Sequence, residues 1–440
     1  MNELSKINAW LAKRGIDYIE TVVADMAGIA RGKLLPLTQL EPKNFKLPVA
    51  VFCQTIDGSY YMPEDNAEDR DMLMRPDPET LRPMPWAKEP TAAVIMDCVS
   101  ASGAPVPTCP RQVLKRVLGK FEERGWFPVV APELEFYLTK PPPSAEAEEA
   151  DKILEPPAAT EPYGLERTHD IADFTQTLSE HCHAQSIPIG AVLQELGPGQ
   201  FEVNLEHGNP LKLADDVFHF KRTVKRAALA YGMNATFVAK LDPEEPGSSM
   251  HIHQSVYDAG GGNVFSDESG SANALFEGFI GGLQTYLPEA LLLLAPYANS
   301  YRRFINYWSS PVNLEWGVDN RTTGLRVPES PAQARRVENR LPGSDVNPYL
   351  AFAASLACGF IGMRDGLKAR PEVDGSAYKA PFALHRHVYE ALDALRGSDA
   401  MVEMLGSEFV ETFAAVKERE HRSFQERIPQ WERDELQVAL

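Results

Sequence analysis

The sequence predicts an α+β protein of two unequal domains, and three observations predict it. At 440 residues the chain exceeds the ~250 to 300 residues at which single cores stop growing. A strand-rich opening stretch ends in the proline cluster APVPTCP, Ala104 to Pro110, where clustered proline disfavours both helix and ladder. Beyond it, strands with charged residues at every second position alternate with segments of helical periodicity. The boundary is placed to give a small domain at 1–105 and a large one at 106–440.

The elements follow in order. Leu4, Ile7 and Leu11 mark an amphipathic first helix; no uninterrupted apolar core follows its charges, so it is not read as a signal peptide. YIETVVADMAGIARGKLLP predicts strand, turn at Ala27–Gly28 and second strand, because β-branched residues precede the turn. After the acidic, loop-rich DGSYYMPEDNAEDRDMLMRPD comes the apolar strand AAVIMDC, residues 92 to 98. Val113, Leu114, Val117, Leu118 and Phe121 repeat at helical spacing, and Gly125 supplies a stop. Residues 139 to 162, rich in proline and acids, predict a solvated surface loop. Helices are expected near 171–184, 213–231 and 273–287, with several more after Asn347. The glycines Gly260 to Gly262 predict a surface turn rather than a phosphate cradle, and no P-loop GxxxxGK[ST] occurs.

Hydrophobic content of 44% and charged content of 24% are ordinary for a soluble globular chain. The net charge of -19 argues against nucleic acid and anionic membrane surfaces as partners. It permits a cationic substrate, although solubility alone accounts for most surface acids. Cys53, Cys98, Cys109, Cys182 and Cys358 lie far apart without a CxxC and read as reduced cytosolic thiols. The longest apolar run, Ala351 to Met363, is shorter than the ~18 to 20 residues of a membrane span. A soluble cytoplasmic protein is expected.

Four strands carry the chemistry. APELEFYL puts Glu133 and Glu135 on one face; LQELGPGQFEVNLE gives Glu195 at a strand end and Glu202 after a GPG turn. SSMHIHQSV sends His251, His253 and Ser255 to one side, and RRVENRL groups Arg336, Glu338 and Arg340. Any one of these alone is an ordinary half-exposed strand. Together they carry Glu, His and Arg and hardly any Lys. If they share a sheet, five glutamates and a histidine converge, and divalent cations are the counter-charge such carboxylates need. Oxygen donors with one imidazole suit Mg²⁺ or Mn²⁺, and arginines beside them suit phosphate; without a nucleophile or redox fingerprint this points to phosphoryl transfer.

APELEF, GPGQFE, PGSSMHIHQS, NSYRRF, DNRTTGLRVP and RVENRLPGSDVNPYLA, in this order, resemble the bacterial type of the glutamine synthetase superfamily over nearly the whole chain. The resemblance implies a small N-terminal β-grasp-like domain and a large catalytic domain whose curved antiparallel strands form a funnel. It implies a homo-oligomer of two stacked rings, commonly a dodecamer, with sites shared between subunits. Glu135, Glu195 and Glu202 resemble the ligands of a first metal ion, and Glu133, His251 and Glu338 those of a second. Gly247 would line the glutamate pocket, Arg303 would pair with the α-carboxylate, and Arg340 with the γ-carboxylate. Arg321, Arg326 and Arg336 would neutralise ATP and the transferring phosphoryl group, with His253 and Ser255 beside the nucleotide. Asp57 and Asp71 of the adjacent subunit would receive and deprotonate the incoming nitrogen.

The resemblance breaks at YRRFINYWSSPVN, residues 301 to 313, where Ser309 stands at the place of a glutamate that serves ammonia-using relatives. A serine cannot act as that base, and its smaller size leaves room for a substituent on nitrogen, with Tyr307 and Trp308 offering aromatic faces. Pro246 replaces a usual asparagine, the second and third glutamates are one residue closer than usual, and no tyrosine loop for adenylylation is found. These departures resemble the branch of γ-glutamyl-amine ligases, including γ-glutamylputrescine and γ-glutamylpolyamine synthetases. The expected partners are L-glutamate, ATP and a primary amine, with a polyamine suited to the acidic field. Ammonia-using glutamine synthetase is the alternative, and a catalytically inactive structural or binding homologue a further one.

Overall fold

Hydrogen-bonded strands fall into two sheets, each built from its own stretch of chain. The computed structural model describes residues 3–61, 68–140, 162–306 and 309–440. The loop expected at 139–162 therefore lies almost wholly outside the described residues, as do Tyr307 and Trp308.

The first sheet comprises β1 (Tyr18–Ala24), β2 (Ala30–Pro36), β3 (Lys46–Pro48), β4 (Asp71–Pro76), β5 (Arg82–Pro83) and β6 (Thr91–Val99), in the order β2-β1-β6-β4-β3 with β5 on β6. β1 and β6 run parallel at its centre and the remaining pairs are antiparallel. Helix α1 (Glu3–Lys13) closes one side through Ile7 and Leu11, both fully buried. The β1–β2 turn is where the sequence places it, with Gly28 at φ 76°, a conformation that costs glycine little.

The second sheet comprises β7 (Trp126–Thr139), β8 (Ile189–Gln194), β9 (Gln200–Leu205), β10 (Asn234–Thr236), β11 (Met250–Asp258), β12 (Trp316–Val318), β13 (Leu325–Val327) and β14 (Val337–Asn339). Its order is β12-β13-β14-β11-β7-β9-β8, with β10 on β7. The four charged stretches form five strands, β7, β8, β9, β11 and β14, and all are thus in one sheet. Leu134, Phe136, Phe201, Val203, Met250 and Ile252 point the other way into the core, each at most 3% exposed. That apolar face fixes the register, because a slip of one residue would turn the carboxylates away from the cavity and into the apolar core.

The helices are α2 (Pro110–Glu122), α3 (Leu165–Asp170), α4 (Ala172–Ala184), α5 (Pro210–Ala230), α6 (Ala274–Leu294), α7 (Ala298–Tyr301), α8 (Pro348–Asp365), α9 (Val388–Arg396), α10 (Asp399–Leu405) and α11 (Ser407–Gln425), with a short turn α12 (Gln437–Ala439) at the end. α5 lies against β7 and β10, while α6 packs along α8. One expectation needs correction: α6 does not stop at residue 287 but continues through Pro288 to Leu294. An internal proline costs roughly 3 kcal/mol, and burying Leu291, Leu292, Leu293 and Leu294 offsets it at about 1.5–3 kcal/mol each. The apolar run Ala351 to Met363 is the buried middle of α8, and no described helix is long and apolar enough to cross a membrane. All five cysteines are free and buried.

Candidate active site

Cross-strand pairing, more than sequence proximity, assembles the charged groups. On β7, Glu133 lies opposite His251 of β11, and Glu135 opposite Glu202 of β9. On β14, Glu338 lies opposite His253 of β11 and Arg326 of β13. Directly opposed side chains have Cβ atoms ~4.5–5.5 Å apart, so each pair can share one ligand. Glu195 enters from the residue after β8, where the GPG turn starts. Glu133, Glu135, Glu195, Glu202, His251 and Glu338 all line one cavity of about 320 Å³, together with Gly247, Arg303, Ser309, Arg321, Arg326 and Arg340. His253, Ser255 and Arg336 line an adjoining hollow of about 550 Å³ that shares Glu133, Arg321 and Arg326 with the first.

Hydrogen bonds give these groups distinct parts. Glu338 is held between Arg326 Nη1 at 2.7 Å and Arg340 Nη1 at 2.6 Å. Burial opposes its ionisation, but Arg340 and then His251 and His253 outweigh that and hold its pKa down at about 2. Glu133 accepts from His253 Nε2 at 2.9 Å and lies 3.3 Å from His251 Nδ1. Burial works against its charge too, yet these two histidines bring its pKa well below the usual range. Arg336 Nε donates to His253 Nδ1 at 3.3 Å, which leaves the His253 proton on Nε2 and directs it at Glu133.

The other three glutamates have too little positive charge beside them. Burial, and then the charge of Glu195, raises the pKa of Glu135 to about 8. Burial, and then Glu133, Glu135, Glu195 and Glu338, raises that of Glu202 to about 9. Glu195 is likewise raised, burial first. Such a cluster fits divalent cations. Donor atoms of Glu133, Glu202 and His251 lie within 4.8 Å of one another, as do those of Glu133, His253 and Glu338. Oxygen-rich sets with one imidazole are the ligands of Mg²⁺ and Mn²⁺. In the second set His253 already spends its Nε2 proton on Glu133, which makes it a positioning group for that carboxylate.

Arg303 crosses the cavity floor, 3% exposed, giving Nη1 to Ser249 Oγ at 3.0 Å and Nη2 to the Leu341 carbonyl. Burial lowers its pKa to about 10, so it stays charged at neutral pH. Gly247 permits its path, since an added methyl would collide with the Arg303 side chain and sit 2.7 Å from the Ala239 carbonyl oxygen. The Nε atoms of Arg303, Arg326 and Arg340 are buried without a partner, so donors are left over for an anionic ligand. Among the described residues Arg321 makes no hydrogen bond or ion pair. Ser309 lines the cavity at φ 55°, rare for a residue with a Cβ, and its carbonyl accepts from Arg340 Nη2 at 3.3 Å.

Neither Asp57 nor Asp71 lines this cavity in its own chain. Asp57 sits in a turn held by Thr55 and Ser59, whose hydrogen bonds lower its pKa to about 2, and Asp71 opens β4. Several lining residues were not anticipated. Ser249 gives its N–H to Glu135 at 2.8 Å, and Asn204 lines both hollows; each lies two residues from a singled-out side chain, so period-two reasoning reaches them. Tyr163, Leu193 and Leu196 form an apolar part of the wall, for which the sequence carries no periodic signal.

Known proteins resemble this chain in sequence and fold. The family described as "Glutamine synthetase, catalytic domain" matches residues 107–436. Gamma-glutamylputrescine synthetase PuuA of Escherichia coli (strain K12) is 34% identical over 437 residues, covering 94% of this chain and 90% of that protein. A glutamate–isopropylamine ligase of Pseudomonas sp is 32% identical over 448 residues, covering 98% and 97%. A solved structure titled "GmaS/ADP complex-Conformation 1" superposes with a TM-score of 0.85 at 27% identity, covering 97% and 98%.

Proposed function

We propose that this chain, which belongs to the glutamine synthetase family, joins the γ-carboxylate of L-glutamate to a primary amine, with putrescine or another polyamine as the preferred acceptor. The observation that carries the reading is Ser309 on the cavity wall, where ammonia-using members place a glutamate. Relatives named for putrescine and isopropylamine ligation support it.

The chemistry proceeds in two steps. The glutamate γ-carboxylate attacks the terminal phosphorus of ATP, giving γ-glutamyl phosphate and ADP; the amine then displaces phosphate and loses a proton, giving the amide. Arg303 binds the α-carboxylate, and Arg340 orients the γ-carboxylate through the Nε that has no protein partner. Arg321, Arg326 and Arg336 surround the polyphosphate, His253 and Ser255 flank the nucleotide, and positive charge placed before reaction stabilises the transferring group. Two or more Mg²⁺ or Mn²⁺ ions, held by Glu133, Glu135, Glu195, Glu202, His251 and Glu338, would screen the phosphate charge. Asp57 and Asp71 of a neighbouring subunit in a ring assembly receive the ammonium end of the acceptor and take its proton, while Ser309 leaves space for the carbon chain.

Phosphate release from ATP and glutamate across ammonium, monoamines, putrescine and spermidine tests this; turnover with ammonium alone would contradict it. Ser309→Glu is expected to raise ammonium use relative to amine use by at least about tenfold, a modest part of the ~100-fold or more that a well-positioned base supplies. An unchanged ratio would remove the argument from this loop. Gly247→Ala, by displacing Arg303, is expected to raise the glutamate KM by at least about tenfold with a smaller change in the ATP KM.

A further inference from the structure

A second cleft, of about 570 Å³, lies between the end of α7, the first turn of α9 and the last turns of α11, outside the cavity that holds the glutamates. Its charge is unlike that of the chain as a whole, which carries -19. Arg302 and Arg386 both line it. The Arg302 guanidinium makes no hydrogen bond or ion pair among the described residues, and the Arg386 guanidinium lies 4.0 Å over the Phe382 ring. The single acid in the lining, Glu390, is spent on the Arg386 amide at 2.7 Å. The first turn of α9 adds the positive end of a nine-residue helix.

The rest of the wall is aromatic and has unpartnered polar atoms. His421 stacks on Phe424 at 5.9 Å and 18°, and Tyr389 meets it edge-on at 4.7 Å. The Tyr301 hydroxyl and His421 Nδ1 are buried with no hydrogen-bond partner. Cations at a rim, a ring-lined wall and an unsatisfied hydroxyl are together what a flat carboxylate requires.

We propose that this cleft is an effector site for a small aromatic carboxylate. Both its walls lead to the catalytic groups. Tyr301 and Arg302 directly precede Arg303. On the far wall α11 holds the Asp57 turn, with Glu420 accepting from the Ile56 N–H at 2.6 Å and Ser423 Oγ donating to Asp57 at 3.4 Å. A ligand that bridges the walls fixes α11 against the Arg303 segment, and so shifts glutamate affinity; this coupling rests on the proposed function, whereas binding itself does not.

Calorimetric titration of the full-length protein in its native assembly with benzoate, cyclohexanecarboxylate and benzamide is the test. Saturable benzoate binding is expected, at least about tenfold weaker for Arg302→Gln and for Arg386→Gln, both exposed residues whose replacement leaves the core intact. Benzamide and cyclohexanecarboxylate should each bind at least about tenfold more weakly, one for want of charge and the other of a flat ring. Benzoate should also move the glutamate KM about fivefold or more, and not in Arg302→Gln. No saturation by about 10 mM benzoate, or equal binding by both variants, overturns the site. Equal binding of cyclohexanecarboxylate overturns the aromatic slot, and a fixed glutamate KM with benzoate bound overturns the effector role. Failure to form an amide with any amine would instead contradict the proposed function, and the binding arm would still report on the cleft.

Discussion

Arg111→Ala is expected to cost about 3–5 kcal/mol of stability, a large share of what a domain possesses. Arg111 stands in the first turn of α2, where the first sheet meets the second. Its guanidinium binds Asp215 of α5 at 2.9 and 3.0 Å, Asp97 of β6 at 2.6 Å and Asp77 at 2.7 Å. Asp215 also accepts from Tyr349 Oη of α8 at 2.6 Å. The Arg111 and Asp215 side chains are 4% and 3% exposed, so neither is compensated by water once the other is removed. Burial alone would lower the guanidinium's pKa, but Asp215 more than reverses this and raises it. Truncation leaves three carboxylates facing one another, two of them 23% exposed. The neighbouring pair Lys115–Asp97 is close at 2.5 Å yet more open, and Lys115→Ala should cost under about 1 kcal/mol. Urea unfolding of both variants decides the matter; an Arg111→Ala loss no larger than that of Lys115→Ala would show that packing alone joins the two sheets.

This junction was not legible in the sequence, because Arg111, Asp77, Asp97 and Asp215 are far apart and none belongs to a periodic pattern of charge. The catalytic sheet was legible for the opposite reason. Glu133 with Glu135, His251 with His253, and Glu338 with Arg340 each declare a strand face by their two-residue spacing, and the apolar residues between them fix which face is buried. What spacing cannot supply is the register that sets Glu133 against His251 and Glu135 against Glu202. Nor does it reveal that Arg336 and His253 act in series on Glu133. α6 runs past the expected residue 287 because the burial of four leucines outweighs the helix-breaking tendency of Pro288.

Adding Mg²⁺ to chelator-treated protein at pH 7 is expected to release protons, between one and two per site. The pKa values of Glu135 and Glu202, raised to about 8 and about 9, keep both groups largely protonated at that pH without a cation. A cation that takes their oxygens as ligands must displace those protons, so its apparent affinity rises with pH. The sign for stability is opposite. From about pH 5 the unfolded chain ionises these two glutamates, while the folded chain holds the proton of Glu135 to about pH 8 and that of Glu202 to about pH 9, so the folded state binds more protons. Stability of the cation-free protein therefore falls as pH rises through that range, by about 1.4 kcal/mol for each unit of pKa difference per group as an upper bound. With Mg²⁺ bound, the carboxylates are charged in both states and the penalty disappears. Calorimetry in buffers of different ionisation enthalpy counts the protons, and melting curves at pH 6 and pH 8.5, with and without Mg²⁺, read the stability. Glu202→Gln supplies the control: it should remove about half of the proton release and weaken Mg²⁺ binding, while making the cation-free protein less sensitive to pH. Binding of Mg²⁺ with no protons released would mean that these carboxylates are already charged, and that the cations enter a site whose repulsion the arginines had already relieved.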